Sequence, residues 1–251
     1  MNRAGVGTAE KKAMDLSNQP GTYFVWTLLF LCLAAIFFII MVTDMELYLL
    51  LVKESAYTEL LTAILYLASG LMFWVRAWQV YRVERSFKGI VFYLLFGLMF
   101  VFIAGEEESW GQWMFHYEVP EGISSINVQN ELNVHNMAFF SKYSHLFNTH
   151  RLLAAMSGML FVILPLLNAR VPRVRALLEA LRFPVAPLLC VPLFVVAVTY
   201  EKVAMIVLAH WSHAEIAEFF YSIGFLLYAL SVYTRAVLGP QKSPKGKIAE
   251  A

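Results

Sequence analysis

Stretches of about 20 apolar residues recur six times along the chain, at 22–43, 56–76, 88–106, 151–168, 183–209 and 214–237. Each is long enough, at roughly 1.5 Å per residue, for a helix to cross about 30 Å of hydrocarbon. Lipid offers no water to satisfy backbone groups, and nothing in these stretches alternates with the period of a barrel strand, so each is expected to be helical. The predicted fold is all-α, a polytopic bundle of six transmembrane helices treated as one domain at 22–237. Segments 1–21 and 238–251 are tails, and one long loop, 107–150, joins the third and fourth spans. Of 251 residues 60% are hydrophobic and 15% charged, at a mean hydropathy of +0.63, which excludes a water-soluble enzyme. The net charge of +1 leaves no basic surplus to track nucleic acid.

Polar residues precede the first span, which ends in Val42, Thr43 and Asp44 without a small-residue cleavage site, so it is expected to be an uncleaved anchor. Lysine and arginine sort sharply. Fifteen of 19 fall in the two tails and in the turns around 76–88 and 170–182; only Lys53, Lys142, Arg151 and Lys202 lie on the other side. The positive-inside rule then predicts cytoplasmic termini and outward loops after spans one, three and five. Acids sort the opposite way, thirteen of 18 falling outside or in the outward half of a span. Acids contribute little to topology, so this asymmetry needs another cause. Cys32 and Cys190 each fall within a span, where a cysteine packs as a small apolar group.

Polar chemistry concentrates on the outward side, where all six histidines lie. The third span ends in Gly105, Glu106, Glu107, Glu108, Ser109, Trp110, Gly111, Gln112 and Trp113. Carboxylates are unfavourable at a helix C-terminus by about 0.3 to 1 kcal/mol each, so three in succession need compensation. Residues about 100° apart on a helix cannot all face one way, so at least one acid points inward. It is expected to bind a cation, accept hydrogen bonds from the following loop or carry a proton, unless the set is simply an acidic helix exit with interfacial tryptophans.

A second run, 127–136, places Asn127, Gln129, Glu131, Asn133 and His135 at odd positions. That is the pattern of an extended segment; in a helix, Glu131 and His135 would share a face one turn apart. The run suits either a loop that caps helix ends or a catalytic one. A third, His210, Trp211, Ser212, His213, Ala214, Glu215 and Glu218, puts two histidines three apart, a spacing able to ligate zinc or iron. Helix capping alone accounts for Glu215 and Glu218. Glu201 lies within hydrocarbon depth, with Lys202 expected to point about 100° away. An ionisable group at that depth costs roughly 2.5 to 3.5 kcal/mol and normally faces a partner inside the bundle; Glu59 is a candidate neighbour.

Gly105, Glu106, Glu107, Ser109, Trp110, Gly111 and Gln112, followed by Asn127, Gln129, Glu131, Asn133, His135 and Asn136, resemble the signature of a family of bacterial multi-pass inner-membrane proteins with no assigned activity. The resemblance implies a bacterial inner membrane and a periplasmic loop. A looser similarity, to membrane hydrolases of the alkaline ceramidase and progestin-receptor type, rests on histidines and acids at one end of a helical bundle, without their seventh span.

Two functions follow as expectations. One is metal-assisted hydrolysis or modification of a lipid or lipid-linked substrate. There a divalent metal such as zinc sits on His135, His210 and His213, Glu107 or Glu131 acts as general base, and Glu201 belongs to the same catalytic site. The other is non-enzymatic, a transporter, proton-coupled subunit or assembly partner of other membrane subunits, with Glu201, Glu59 and Glu107 forming a half-channel from the outer face. Haem is disfavoured because the histidines lie too near the surface.

Overall fold

The computed structural model describes residues 20–52, 57–143, 149–208 and 213–237. The described residues form helices joined by turns, with one isolated bridge between Asn127 and Met137 as their sole strand-like pairing. Helix α1 (Pro20–Thr43) closely matches the first apolar stretch. Asp44 then starts a further short helix, α2 (Met45–Val52), by accepting the N–H of Leu47 at 2.9 Å. That bond satisfies an orphan donor of the first turn. Glu46 in the same turn suits the helix dipole.

Helix α3 (Tyr57–Glu84) runs past the expected end at 76. The guanidinium groups of Arg76 and Arg82 lie over the rings of Tyr93 and Trp78, 5.7 and 4.8 Å from their centroids. Aromatic faces thus support the charges that a hydropathy boundary takes for a turn. After a left-handed residue at Arg85 (φ 52), helix α4 (Val91–Glu107) returns. The fourth apolar stretch comprises α5 (Thr149–Gly158), a π-helical segment Met159–Ile163 and α6 (Leu164–Arg170). Pro165 explains the wide turn, because a proline lacks the N–H and its ring would press on the carbonyl four residues earlier.

Val171 is extended and Pro172 opens α7 (Pro172–Ala180), so part of the expected 170–182 turn is helical. Helix α8 (Cys190–Leu208) starts later than the expected 183. Pro184 and Pro187 hold the approach out of helical geometry, and the Tyr228 hydroxyl donates to the carbonyl of Pro184. Helix α9 (His213–Val237) completes the chain's described part.

Three helical stretches are long and apolar enough to cross a membrane: Met45–Glu84, His150–Arg170 and Glu215–Tyr233; Thr27–Thr43 is apolar but shorter. These are the lengths and compositions of a membrane protein. Helix α3 packs along α4 and α9, α9 along α8, and α8 against α1. Aromatic rings fill the centre: Phe225 lies 4.8 Å from Phe100 and 4.6 Å from Phe161, and Phe73 lies 5.2 Å from both Phe96 and Tyr228. The bundle thereby brings the start of α3, the end of α4 and the starts of α5 and α9 to one end, where the polar site forms.

Candidate functional site

The chain leaves α4 through three consecutive left-handed residues, Ser109 (φ 43), Trp110 (φ 55) and Gly111 (φ 86). Only Gly111 adopts such a value without steric cost; the others are held by their surroundings. The Trp110 indole folds back along α4 and donates to Glu106 Oε1 at 2.8 Å. A Cβ at Gly105 would meet this ring at 2.8 Å, so the glycine one residue before Glu106 makes room for the tryptophan that binds it. The shared interfacial face expected for Trp110 and Trp113 does not arise through a helix, because Trp110 breaks helical geometry; the Trp113 side chain lies outside the described residues.

Loop 112–137 closes on this turn. Glu106 Oε2 accepts the backbone N–H groups of Val134 at 2.6 Å and His135 at 3.1 Å. Glu131 Oε2 accepts Ser109 Oγ at 3.0 Å, Asn133 Nδ2 at 2.6 Å and Asn136 Nδ2 at 3.1 Å. Asn127 Oδ1 accepts the N–H groups of Gln129 and Glu131, while its Nδ2 donates to Asn133. Gln112 Oε1 accepts Leu132 N–H at 2.8 Å, and the Tyr117 hydroxyl donates towards the carbonyls of Ser109 and Trp110. Part of the odd-numbered pattern in 127–136 is therefore a polar interior: Asn127, Glu131 and Asn133 are buried, His135 is half-buried, and Gln129 is exposed, while Val128 is 60% exposed. The segment is a turn-rich loop, and neither the regular extended strand nor the helix expected as alternatives forms across it.

Behind this loop lies a cavity of about 680 Å³. Glu59 from α3, Glu107 from α4, His150 from α5, and Glu215 and Glu218 from α9 contribute charged groups to its lining. Glu107 lies in electrostatic range of Glu218, Glu215, Glu59 and Glu108. His150 Nδ1 pairs with Glu218 Oε1. Phe102, Ile103, Phe140, Leu152, Leu153 and Met156 supply hydrocarbon to the same lining. The hydroxyls of buried Tyr66 and Tyr221 have no hydrogen-bond partner among the described residues. Tyr66 lies in electrostatic range of Glu107 and Glu218, and Tyr221 of Glu218 and Glu201. A buried hydroxyl left without a partner costs about 1 to 3 kcal/mol, which a water or ligand reaching it would offset.

The expected site residues separate. Glu107 and Glu131 both line the cavity, but Glu131 is held by Ser109 of the turn and by Asn133 and Asn136 of its own loop. Glu107 stands instead in electrostatic range of Glu218, Glu215, Glu59 and Glu108. Glu201 is absent from the lining, and Lys202, expected to point away from it, reaches it at 3.0 Å. Both side chains are flexible enough to meet from adjacent positions. His135 lines the cavity with its Nδ1 3.5 Å from Glu106 Oε2. His210 and the His213 side chain lie outside the described residues. Among the described residues no group of three or more His, Cys, Asp or Glu side chains is arranged to hold a metal ion.

His150, Glu215 and Glu218 were legible only as loop polarity and helix capping. Their signal was the i, i+3 spacing of the two glutamates, which puts both on one face, at the start of an apolar helix. No protein-family model, no curated protein and no solved structure matches the chain. The chemistry therefore follows from the residues themselves: several carboxylates and the imidazoles of His135 and His150 around a cavity partly lined by hydrocarbon can exchange protons and take up positive charge.

Proposed function

We propose that the protein is a proton-coupled membrane protein whose cavity takes up protons and ligand from the outer face, acting as a transporter or as a subunit of a larger membrane assembly. In this reading it belongs with the bacterial inner-membrane proteins whose signature it resembles. It spans the membrane six times with both termini cytoplasmic, and loop 107–150 is periplasmic. The surrounding lipids and other membrane subunits are its partners.

One observation carries the reading: Glu59, Glu107, His150, Glu215 and Glu218, from four helices, line a single cavity. Clustered carboxylates in a weakly polar setting repel unless protons or cations accompany them, which makes the cluster a proton acceptor poised for exchange. Tyr66 lies in electrostatic range of Glu107, Glu218 and Tyr221, and Tyr221 of Glu218 and Glu201, so polar atoms link the carboxylate cluster with Glu201. Glu107 apart, signature residues such as Glu106, Ser109, Trp110, Asn127, Glu131 and Asn133 have a separate task, closing the loop that walls the cavity. Among the described residues no metal-holding group occurs, and His210 and the His213 side chain, two of the three ligands expected for metal-assisted hydrolysis, lie outside them.

The test is proton movement in proteoliposomes carrying an internal pH-sensitive dye. Wild-type protein should dissipate an imposed pH gradient, Glu107→Gln should abolish that flux, and Glu201→Gln should slow it. Flux unchanged by Glu107→Gln would overturn the reading.

A further inference from the structure

We infer that the cavity's ligand is an amphiphile with a single ammonium head on a hydrocarbon chain, which enters in exchange for a proton. The inference rests on the proton-coupled reading and adds the substrate class. Its first support is the mixed chemistry of the cavity lining. Glu59, Glu107, Glu215 and Glu218 line it, with His150 paired to Glu218, and so do the hydrocarbon side chains Phe102, Ile103, Phe140, Leu152, Leu153 and Met156. A carboxylate or phosphate head would meet like charge, which selects against anionic amphiphiles. A bare metal ion leaves the hydrocarbon lining unused, and the described residues give it no ligand set.

A second support lies near the carboxylates, outside the cavity lining. Tyr66 is fully buried, its hydroxyl has no hydrogen-bond partner among the described residues, and it stands in electrostatic range of both Glu107 and Glu218. Its hydroxyl dipole acts on the cavity through space and can turn its oxygen towards a cation seated at Glu107. The volume of about 680 Å³ falls within the range of roughly 300–1,000 Å³ that holds a ligand of drug size, larger than an inorganic ion needs.

Proton exchange follows from charge. The groups facing Glu107 are Glu59 and Tyr66 on α3, Glu108 beside it, His150 on α5, and Glu215 and Glu218 on α9. Proton and ammonium compete for this one acidic set. On binding, the Glu107 carboxyl O–H bond breaks, its proton leaves to water, and the carboxylate keeps the electron pair and faces the ammonium. No oxidant or co-reactant is needed.

The experiment is equilibrium dialysis of isotopically labelled octylammonium against full-length protein in nanodiscs, with empty nanodiscs subtracted. Saturable binding is expected at about one per chain, weaker at pH 5 than at pH 8. Methylammonium, the head without the tail, should bind at least about tenfold more weakly, and octanoate should not compete. Glu107→Gln should weaken binding at least about tenfold, and Leu153→Trp, which adds bulk to the hydrocarbon lining, should do the same if Glu107→Gln fails to fold. Absence of saturable binding, equal competition by octanoate, or indifference to Leu153→Trp overturns the inference. Glu107-dependent proton flux without octylammonium binding would remove the ligand class alone; octylammonium binding without flux would remove the coupling instead.

Discussion

Glu106 and Glu107 are neighbours in the chain with different partners: Glu106 accepts Trp110 and the backbone of Val134 and His135, while Glu107 stands with the carboxylates of α3 and α9. One acid fastens the loop to the bundle, and the next faces the cavity that the loop helps to wall. Their substitutions should therefore separate cleanly. Glu106→Ala leaves two backbone donors and an indole without their charged acceptor, at an expected cost of about 3 kcal/mol or more. Thermal unfolding in mild detergent should show a lower Tm, and proteolysis should cut within 112–137. Glu107→Gln removes repulsion among like charges and should leave Tm unchanged or raised.

Gly105→Ala should be destabilising by about 1 to 3 kcal/mol, because the new methyl group meets the Trp110 ring. The cost should largely vanish in a Trp110→Ala background. A double-mutant cycle read by thermal unfolding measures this coupling, and additive effects would mean that the ring does not lie over Gly105.

Glu131→Gln replaces an acceptor of three hydrogen bonds, or turns an amide towards the same donors. A loss of about 2 kcal/mol is expected, with Asn133→Ala non-additive to it because both belong to one network. If Glu131 is instead a general base, Glu131→Gln will leave Tm untouched.

Burial raises the pKa of Glu108, just beyond the end of α4. An acid whose folded pKa exceeds its unfolded one contributes stability at low pH that is lost as pH rises through the folded value. Glu108→Gln should therefore raise Tm at pH 8 and have little effect at pH 4, as a pH series of melting curves would reveal.

Helicity was legible because hydropathy is a sum over about 20 residues and tolerates local error. Helix ends were less so. Arg76 and Arg82 extend α3 by lying on aromatic faces, and Pro184 and Pro187 delay α8, effects a hydropathy window does not weigh. At the site, the density of amides in 127–136 already announced a hydrogen-bonded loop, but which acid it served depended on the left-handed turn at Ser109–Gly111. His150 and Glu218 lie 68 positions apart, and no local pattern connects them. Glu59 was grouped in expectation with Glu201 and Glu107; the packing of α3 along α4 brings it into electrostatic range of Glu107.

The most direct test of the central claim is mass-spectrometric mapping of carboxyls modified by a lipid-soluble carbodiimide, which reacts with protonated carboxyls in apolar surroundings. Modification should centre on Glu107, fall as pH rises, and spare Glu106 and Glu131, each of which accepts hydrogen bonds that close the loop on the turn. Modification of Glu106 and Glu131 with Glu107 untouched would contradict the proposed division between loop anchor and proton-exchanging cavity.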